Sequence, residues 1–159
     1  MVKNLKYDRN VFGYCSTTQA ILDDLTAKAK ESPRLRMNYD LRNSTEDQSQ
    51  RMLNAIEPES VVPIHRHQKS SETVVCLRGR VVEEYYQEVQ GSGFKVQGVQ
   101  EPKAELVETI ELSPNGEIVA LNVPAGQWHT VRALESGSVI LEMKDGAYEP
   151  IGPEDIMEV

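Results

Sequence analysis

The sequence predicts an all-β protein of one domain, an antiparallel barrel or sandwich, with a single α-helix near its N-terminus. Short runs rich in Val, Ile, Tyr and Thr recur along most of the chain and are broken by Pro, Gly, Asn and Ser, which is typical of such folds. One segment alone has convincing helical periodicity. A length of 159 residues suits one domain with a core of its own.

The predicted helix lies in the segment TTQAILDDLTAKAKESP, residues 17–33. A narrow apolar stripe at helical spacing is formed by Ile21, Leu22, Leu25 and Ala29. Ser16, Thr17 or Thr18 can cap the helix, and Pro33 ends it. Because the stripe is narrow, we expect the helix to lie against a sheet. We therefore divide the chain into an N-terminal segment with its helix, residues 1–33, and a β domain, residues 34–159.

The first predicted strand, RLRMNYDLR at residues 34–42, alternates strictly between apolar and polar side chains. Its polar face carries Arg36, Asn38 and Asp40. This face points either to solvent or to the mouth of a barrel. In the second case Arg36 and Asn38 are candidate ligand-binding residues, since a guanidinium group suits a carboxylate or a phosphate.

Eight further β-rich runs follow this strand. They are RMLNAIEP, VVPIHRH, ETVVCLRG, RVVEEYYQEV, AELVETIEL, EIVALNVP, WHTVRAL and SVILEMKDG. A long polar connection at residues 91–104 lies inside a hairpin. The tail after Gly146 is acidic and interrupted by proline, so we expect it to pack irregularly or to fray.

Composition argues against several classes of protein. Twenty-five acidic residues against 17 basic ones give a net charge of -8, and no basic run offers a surface for nucleic acid. The chain has neither the long apolar stretch of a membrane span nor the apolar core of a secretory signal. Cys15 and Cys76 stand alone, as in a reducing compartment. We expect no nucleic-acid or membrane partner, and a cytoplasmic location.

The three histidines provide the strongest functional signal. His65 and His67 are one residue apart, so in a strand both side chains leave the same face. His129 follows a predicted tight turn, Pro-Ala-Gly, at the start of another strand. Transition-metal ions accept imidazole nitrogens and carboxylate oxygens. A site made of His65, His67, Glu72 and His129 would use every histidine of the chain for one ion.

These residues resemble the two motifs of the cupin superfamily. The first motif corresponds to His65, His67, Glu72 and Gly79, and the core of the second to Pro124, Gly126 and His129. The chain departs from the motifs at Glu59, Ile118 and Ala133, none of which is a ligand position. The resemblance implies a single antiparallel jelly-roll barrel in residues 34–159. It also implies one divalent transition-metal ion, Zn, Fe, Mn or Ni, held by the three histidines and Glu72.

A closer resemblance covers roughly residues 18–150. The segments RLRMNYDLR, DQSQRMLNAIEP, PIHRH and PAGQWH, in this order, are similar to the WbuC-type cupin fold metalloproteins, which are encoded among surface-polysaccharide (O-antigen) genes. This implies a small polar ligand such as a sugar or sugar-nucleotide intermediate, and a homodimer. A metal-dependent isomerase or epimerase, an Fe(II) oxygenase, and a non-catalytic ligand-binding or sensing protein all remain open.

Overall fold

The computed structural model describes residues 16–89 and 104–157. Two five-stranded antiparallel sheets pack face to face, and one helix covers the outside of the first sheet. The predicted all-β fold with an N-terminal helix is therefore confirmed. Two expectations lie outside the described residues: the segment before residue 16, and the connection at 91–104 apart from Ala104.

Ten strands and one α-helix make up the described fold. Helix α1 spans Gln19–Glu31. The strands are β1 (Arg36–Asp40), β2 (Ser49–Ile56), β3 (Ile64–His65), β4 (Glu72–Arg78), β5 (Val81–Glu88), β6 (Ala104–Leu112), β7 (Ala120–Val123), β8 (Trp128–Ala133), β9 (Ser138–Asp145) and β10 (Ile156–Met157). A short 3-10 helix, Pro153–Asp155, precedes β10.

The chain crosses repeatedly between the two sheets. The first sheet has the strand order β1-β2-β9-β4-β7, and the second has the order β10-β3-β8-β5-β6. Neighbouring strands are mostly distant in sequence, as in the double-sheet jelly roll. This topology places β3, which follows the first sheet's β2, directly beside β8, so two separate segments of the chain meet at one point of the barrel.

Helix α1 lies against the outer face of the first sheet, as its narrow stripe predicts. Thr18 caps the helix by accepting a hydrogen bond of 3.4 Å from the Ile21 amide. The stripe is buried against the outward side chains of β2 and β9, Leu53 and Val139 among them.

No helix in residues 16–89 and 104–157 is long and apolar enough to cross a membrane.

The position of this helix determines the direction of the β1 side chains. Met37 and Tyr39 pack into the apolar cluster beneath α1. Because successive side chains of a strand point to opposite faces, Arg36 and Asn38 are directed to the barrel side of the sheet.

The barrel interior has an apolar part and a polar part. The apolar part is a cluster contributed by both sheets: Ile56, Val74, Cys76, Val81, Leu112, Val131, Ala133 and Ile140. Continuing along the same inward faces, β4, β5 and β9 carry Glu72, Glu83 and Glu142. Carboxyl groups thus occupy barrel positions where a purely structural core would have apolar side chains.

The expectation of an irregular or frayed tail is wrong for Pro153–Met157. After the 3-10 helix, β10 pairs with β3, and Ile156 lies opposite His65. Met157 is buried with Ile64 and Trp128. The tail becomes ordered here because β3 would otherwise be an edge strand with unpaired backbone groups.

Candidate metal centre

The barrel brings the three histidines together. His65 on β3 lies directly opposite His129 on β8, and His67 follows two residues after His65. Ring centroids are 4.5 Å apart for His65 and His129 and 5.1 Å apart for His65 and His67. One potential ligand atom from each residue lies within 4.8 Å of the others. The predicted convergence of the histidines is therefore present in the structure.

The position of His67 has a different cause from the predicted one. Strand β3 ends at His65, so a common strand does not place His67. Instead, the Gly126 amide in the turn before β8 donates a hydrogen bond of 2.8 Å to the His67 carbonyl. Gly126 has a φ of 82°, in the left-handed region that favours glycine. The turn that carries the second motif thus holds His67 of the first motif in place.

Backbone carbonyls orient two of the rings. Nδ1 of His65 lies 2.9 Å from the Pro63 carbonyl, and Nδ1 of His129 lies 2.9 Å from the Gln127 carbonyl. A carbonyl only accepts, so each Nδ1 carries the proton and each Nε2 has a free lone pair. This is how proteins orient histidine ligands of metals.

Burial keeps these rings neutral. It lowers the pKa of His65 to about 4, helped by the nearby His129. Burial also lowers the pKa of His129 below its usual value. A neutral imidazole is the form that binds a metal ion, so at neutral pH neither ring must lose a proton first.

Glu72 brings a carboxylate to the same point. Its Oε2 atom lies 3.3 Å from Nε2 of His67 and 3.9 Å from Nε2 of His129. Although burial opposes ionisation, the contact with His67 and the charge of Lys144 lower the pKa of Glu72 to about 2. The carboxylate is therefore ionised, next to the imidazole nitrogens.

Three inward-facing atoms of this cluster have no hydrogen-bond partner among the described residues: Nε2 of His67, Nε2 of His129 and Oε2 of Glu72. Buried polar atoms are normally paired, and those that are not require an explanation. Nitrogen and oxygen donors converging in this way fit a divalent transition-metal ion.

Two residues of β9 extend the polar interior. Lys144 Nζ lies 3.3 Å from Oε2 of Glu72, so it contacts a proposed ligand from behind. Asn54 donates a hydrogen bond of 2.5 Å to Glu142. Burial and the charge of Glu72 raise the pKa of Glu142 to about 7.

Glu83 is a residue that the sequence motifs do not reveal. It is 1% exposed, and its Oε1 atom lies 4.0 Å from Nε2 of His129. Burial and the charge of Glu72 raise its pKa to about 9. Strand alternation could have shown that Glu83 points into the barrel. Glu83 shares one face of β5 with Val81, and Val81 belongs to the core.

A cavity of about 290 Å³ reaches the site from the first sheet. Its polar lining includes Arg36, Asn38, Asn54, His65, Glu142 and Lys144. The Arg36 guanidinium donates a hydrogen bond to the Val61 carbonyl, which holds it at the rim. The structure thus places both candidate ligand-binding residues on the cavity that contains His65.

A second and larger groove, of about 890 Å³, borders His67, Arg66, Gln50 and Tyr148. Lys144 and Ile151 line both spaces, so the groove and the cavity adjoin one another. Arg66 points away from the histidines: it pairs with Asp155 at 2.8 Å and lies 4.4 Å over the Trp128 ring.

Comparison with known proteins agrees with this architecture. A family model described as a domain of unknown function (DUF6016) matches residues 17–93, which include His65, His67 and Glu72. Among curated proteins, none matches the chain.

Several solved structures resemble this one. KdgF from Halomonas sp. is 15% identical with a TM-score of 0.51, covering 74% of this chain and 84% of that one. BH2720 from Bacillus halodurans is 18% identical with a TM-score of 0.53, covering 96% and 94%. The capsular polysaccharide assembling protein CapF from Staphylococcus aureus is 17% identical with a TM-score of 0.56, covering 80% of this chain and 33% of CapF. At these identities the similarity defines the fold alone: the chain has the double-sheet jelly-roll fold of these proteins.

Proposed function

We propose that the protein is a metal-binding cupin in which His65, His67, Glu72 and His129 hold one divalent transition-metal ion. The observation that carries the proposal is the convergence of three imidazoles and a buried carboxylate, in which Nε2 of His67, Nε2 of His129 and Oε2 of Glu72 have no hydrogen-bond partner among the described residues. A single ion satisfies all of these atoms at once. When bound, the ion supplies a Lewis acid that polarises an oxygen atom of the ligand.

The ligand is proposed to be a small polar molecule, a sugar or sugar-nucleotide intermediate of surface-polysaccharide biosynthesis. The cavity of about 290 Å³ is at the small end of the range for ligand sites, about 300–1,000 Å³, and suits one sugar ring. Its amide and charged groups match hydroxyls and an acidic substituent. The adjoining groove leaves room for a larger group such as a nucleotide.

The polysaccharide part of the proposal has two further supports. The sequence resembles the WbuC-type proteins of surface-polysaccharide gene clusters, and CapF is a capsular polysaccharide assembling protein with the same fold.

As an enzyme, the protein is proposed to be an isomerase or epimerase. A homodimer is also proposed, by resemblance, and light scattering after gel filtration measures it.

Metal content tests the proposed centre. Elemental analysis of untagged protein is expected to give one equivalent of a first-row divalent metal per chain. The double variant His65→Ala, His129→Ala is expected to lose it. Arg66→Ala is the matched control, because Arg66 lies between two proposed ligands but points outward, and it is expected to keep the metal. Full occupancy in the double histidine variant overturns the proposal.

Ligand binding tests the second part. Metal-loaded protein is titrated by calorimetry with neutral monosaccharides, uronic acids and nucleotide sugars, and each mixture is followed by NMR for conversion. Binding with conversion supports the enzyme. Binding without conversion supports the non-catalytic alternative, and binding of none of these compounds overturns the sugar assignment while leaving the metal centre in place.

A further inference from the structure

Glu83 is a buried carboxyl group that the four proposed ligands leave unexplained. Both of its side-chain oxygens are buried and have no hydrogen-bond partner within residues 16–89 and 104–157. Its Oε1 atom lies 4.0 Å from Nε2 of His129, the nitrogen that faces the proposed ion. The carboxyl group therefore ends at the metal centre rather than in a hydrogen-bonded network of its own.

We propose that Glu83 is a second carboxylate ligand, so that the centre contains three histidines and two glutamates. This inference rests on the proposed metal site. Two donors that each lie about 2.0–2.2 Å from one ion are at most about 4.4 Å apart. The 4.0 Å separation between Glu83 and His129 meets this condition, as does the 3.9 Å separation between Glu72 and His129.

Within the described residues, the Glu83 carboxyl group has neither a hydrogen-bond partner nor an Arg or Lys nitrogen within 4.0 Å. Its contact at 4.0 Å is with Nε2 of His129, an imidazole that burial keeps neutral. Lys144, a half-buried cation of the same polar interior, is in contact with Glu72. A carboxyl group without a partner is costly in a barrel core, where Val or Leu would avoid the cost. A divalent cation removes this cost and balances the two carboxylates.

The neighbouring glutamate shows what a structural carboxylate looks like in the same strand. Glu84 faces the opposite side of β5, where it accepts hydrogen bonds from Arg132 at 2.8 Å and from Tyr86 at 2.9 Å. Glu84 is fully satisfied by protein groups, whereas Glu83 is not. The two residues therefore form a matched pair for testing.

A fifth protein ligand restricts the chemistry of the centre. On an octahedral ion it leaves one position for water or for a single atom of the ligand. An oxygenase of the Fe(II) type needs open positions for both oxygen and substrate, so the five-ligand centre favours an isomerase or a binding protein. Two carboxylates also favour Mn²⁺ or Fe²⁺ over Zn²⁺, which prefers fewer ligands.

The test compares Glu83→Gln with Glu84→Gln. The affinities of metal-free protein for Mn²⁺ and Zn²⁺ are measured by competition with a chromophoric chelator. Glu83→Gln keeps the volume but removes the anionic donor, so Mn²⁺ affinity is expected to fall at least tenfold, with a smaller loss for Zn²⁺. Glu84→Gln removes the same charge from the outer face and is expected to stay within twofold of wild type.

Unchanged Mn²⁺ affinity in Glu83→Gln, with a folded protein by circular dichroism, overturns the inference. If that variant does not fold, a crystal structure of the wild-type protein soaked in Mn²⁺ decides instead. A Glu83 oxygen at about 2.2 Å from the ion supports the inference, and one beyond about 3.5 Å contradicts it. If the wild-type protein binds neither Mn²⁺ nor Zn²⁺, the proposed metal centre itself is wrong. If it binds metal but Glu83→Gln binds equally well, only the assignment of Glu83 is wrong.

Discussion

The backbone amide of Gly126 donates a hydrogen bond of 2.8 Å to the carbonyl oxygen of His67. This contact joins the turn between β7 and β8 to the segment after β3, and thus connects the two parts of the chain that carry the histidines. Gly126 has a φ of 82°, and a Cβ atom placed there would meet no atom within 4 Å. Its glycine requirement therefore comes from backbone conformation and not from crowding.

Replacement of Gly126 by alanine is expected to lower both stability and metal affinity. A left-handed non-glycine residue costs about 1–2 kcal/mol, and relaxation of the turn displaces His67. Gly137→Ala is the control, since Gly137 has a φ of 78° and similar open space but lies away from the histidines. Urea unfolding is expected to show similar losses for both variants, while chelator competition shows weaker metal binding for Gly126→Ala alone. Equal metal affinity in the two variants would show that the turn does not position His67.

The stability of the metal-free protein is expected to fall in acid because of His65. Its pKa of about 4 in the folded protein is below the ordinary value of 6.5, so the unfolded chain binds a proton first. The free energy of unfolding therefore decreases as the pH falls from 6.5 to about 4. The measurement is urea unfolding in EDTA of wild type and His65→Gln over this range. The stability of wild type relative to the variant is expected to shrink with falling pH, and a constant difference contradicts the prediction.

Glu83 is expected to have the opposite effect in base. Its pKa of about 9 is above the ordinary value of 4.5, so the folded protein binds the proton more tightly than the unfolded chain. This stabilisation is complete below pH 4.5 and is lost as the pH rises to about 9. Between pH 7 and 9 the metal-free wild type should lose stability relative to Glu83→Gln, by at most about 1.4 kcal/mol per pH unit. Parallel stability curves for the two proteins would refute this expectation.

Arg36 is expected to contribute to ligand binding without contributing to metal binding. Loss of a charged hydrogen bond costs about 1.5–3 kcal/mol, so Arg36→Ala should weaken binding of an anionic sugar at least tenfold. Arg34→Ala is the control, because Arg34 is exposed, carries the same charge and is not part of the cavity lining. Calorimetry with a uronic acid or nucleotide sugar provides the comparison, and elemental analysis confirms that metal content is equal. If both arginine variants bind alike, Arg36 belongs to a solvated rim.

The fold and the centre of the site were largely predictable because both depend on local patterns. Alternation separated the polar and apolar faces of β1 but left open which of them faces the barrel, and helical spacing identified the buried stripe of α1. The spacing of His65, His67 and Glu72, and the turn before His129, named the candidate donors through their resemblance to two known motifs, although a common strand does not place His67. Alternation and helical spacing extend over only a few residues. They can therefore be recognised in the sequence even when the pairing of the strands is not known.

By itself, the sequence determined the fold class and the helix, since both are encoded in local periodicity, and its motif resemblance named the three histidines as one set. The tertiary structure alone decided that β10 closes the edge of β3, that Gly126 holds His67, and that Lys144 contacts Glu72. It also brought Glu83 to His129. These relationships join residues far apart in the chain, and a strand's own pattern shows which face a residue occupies but not which residue it meets across the barrel.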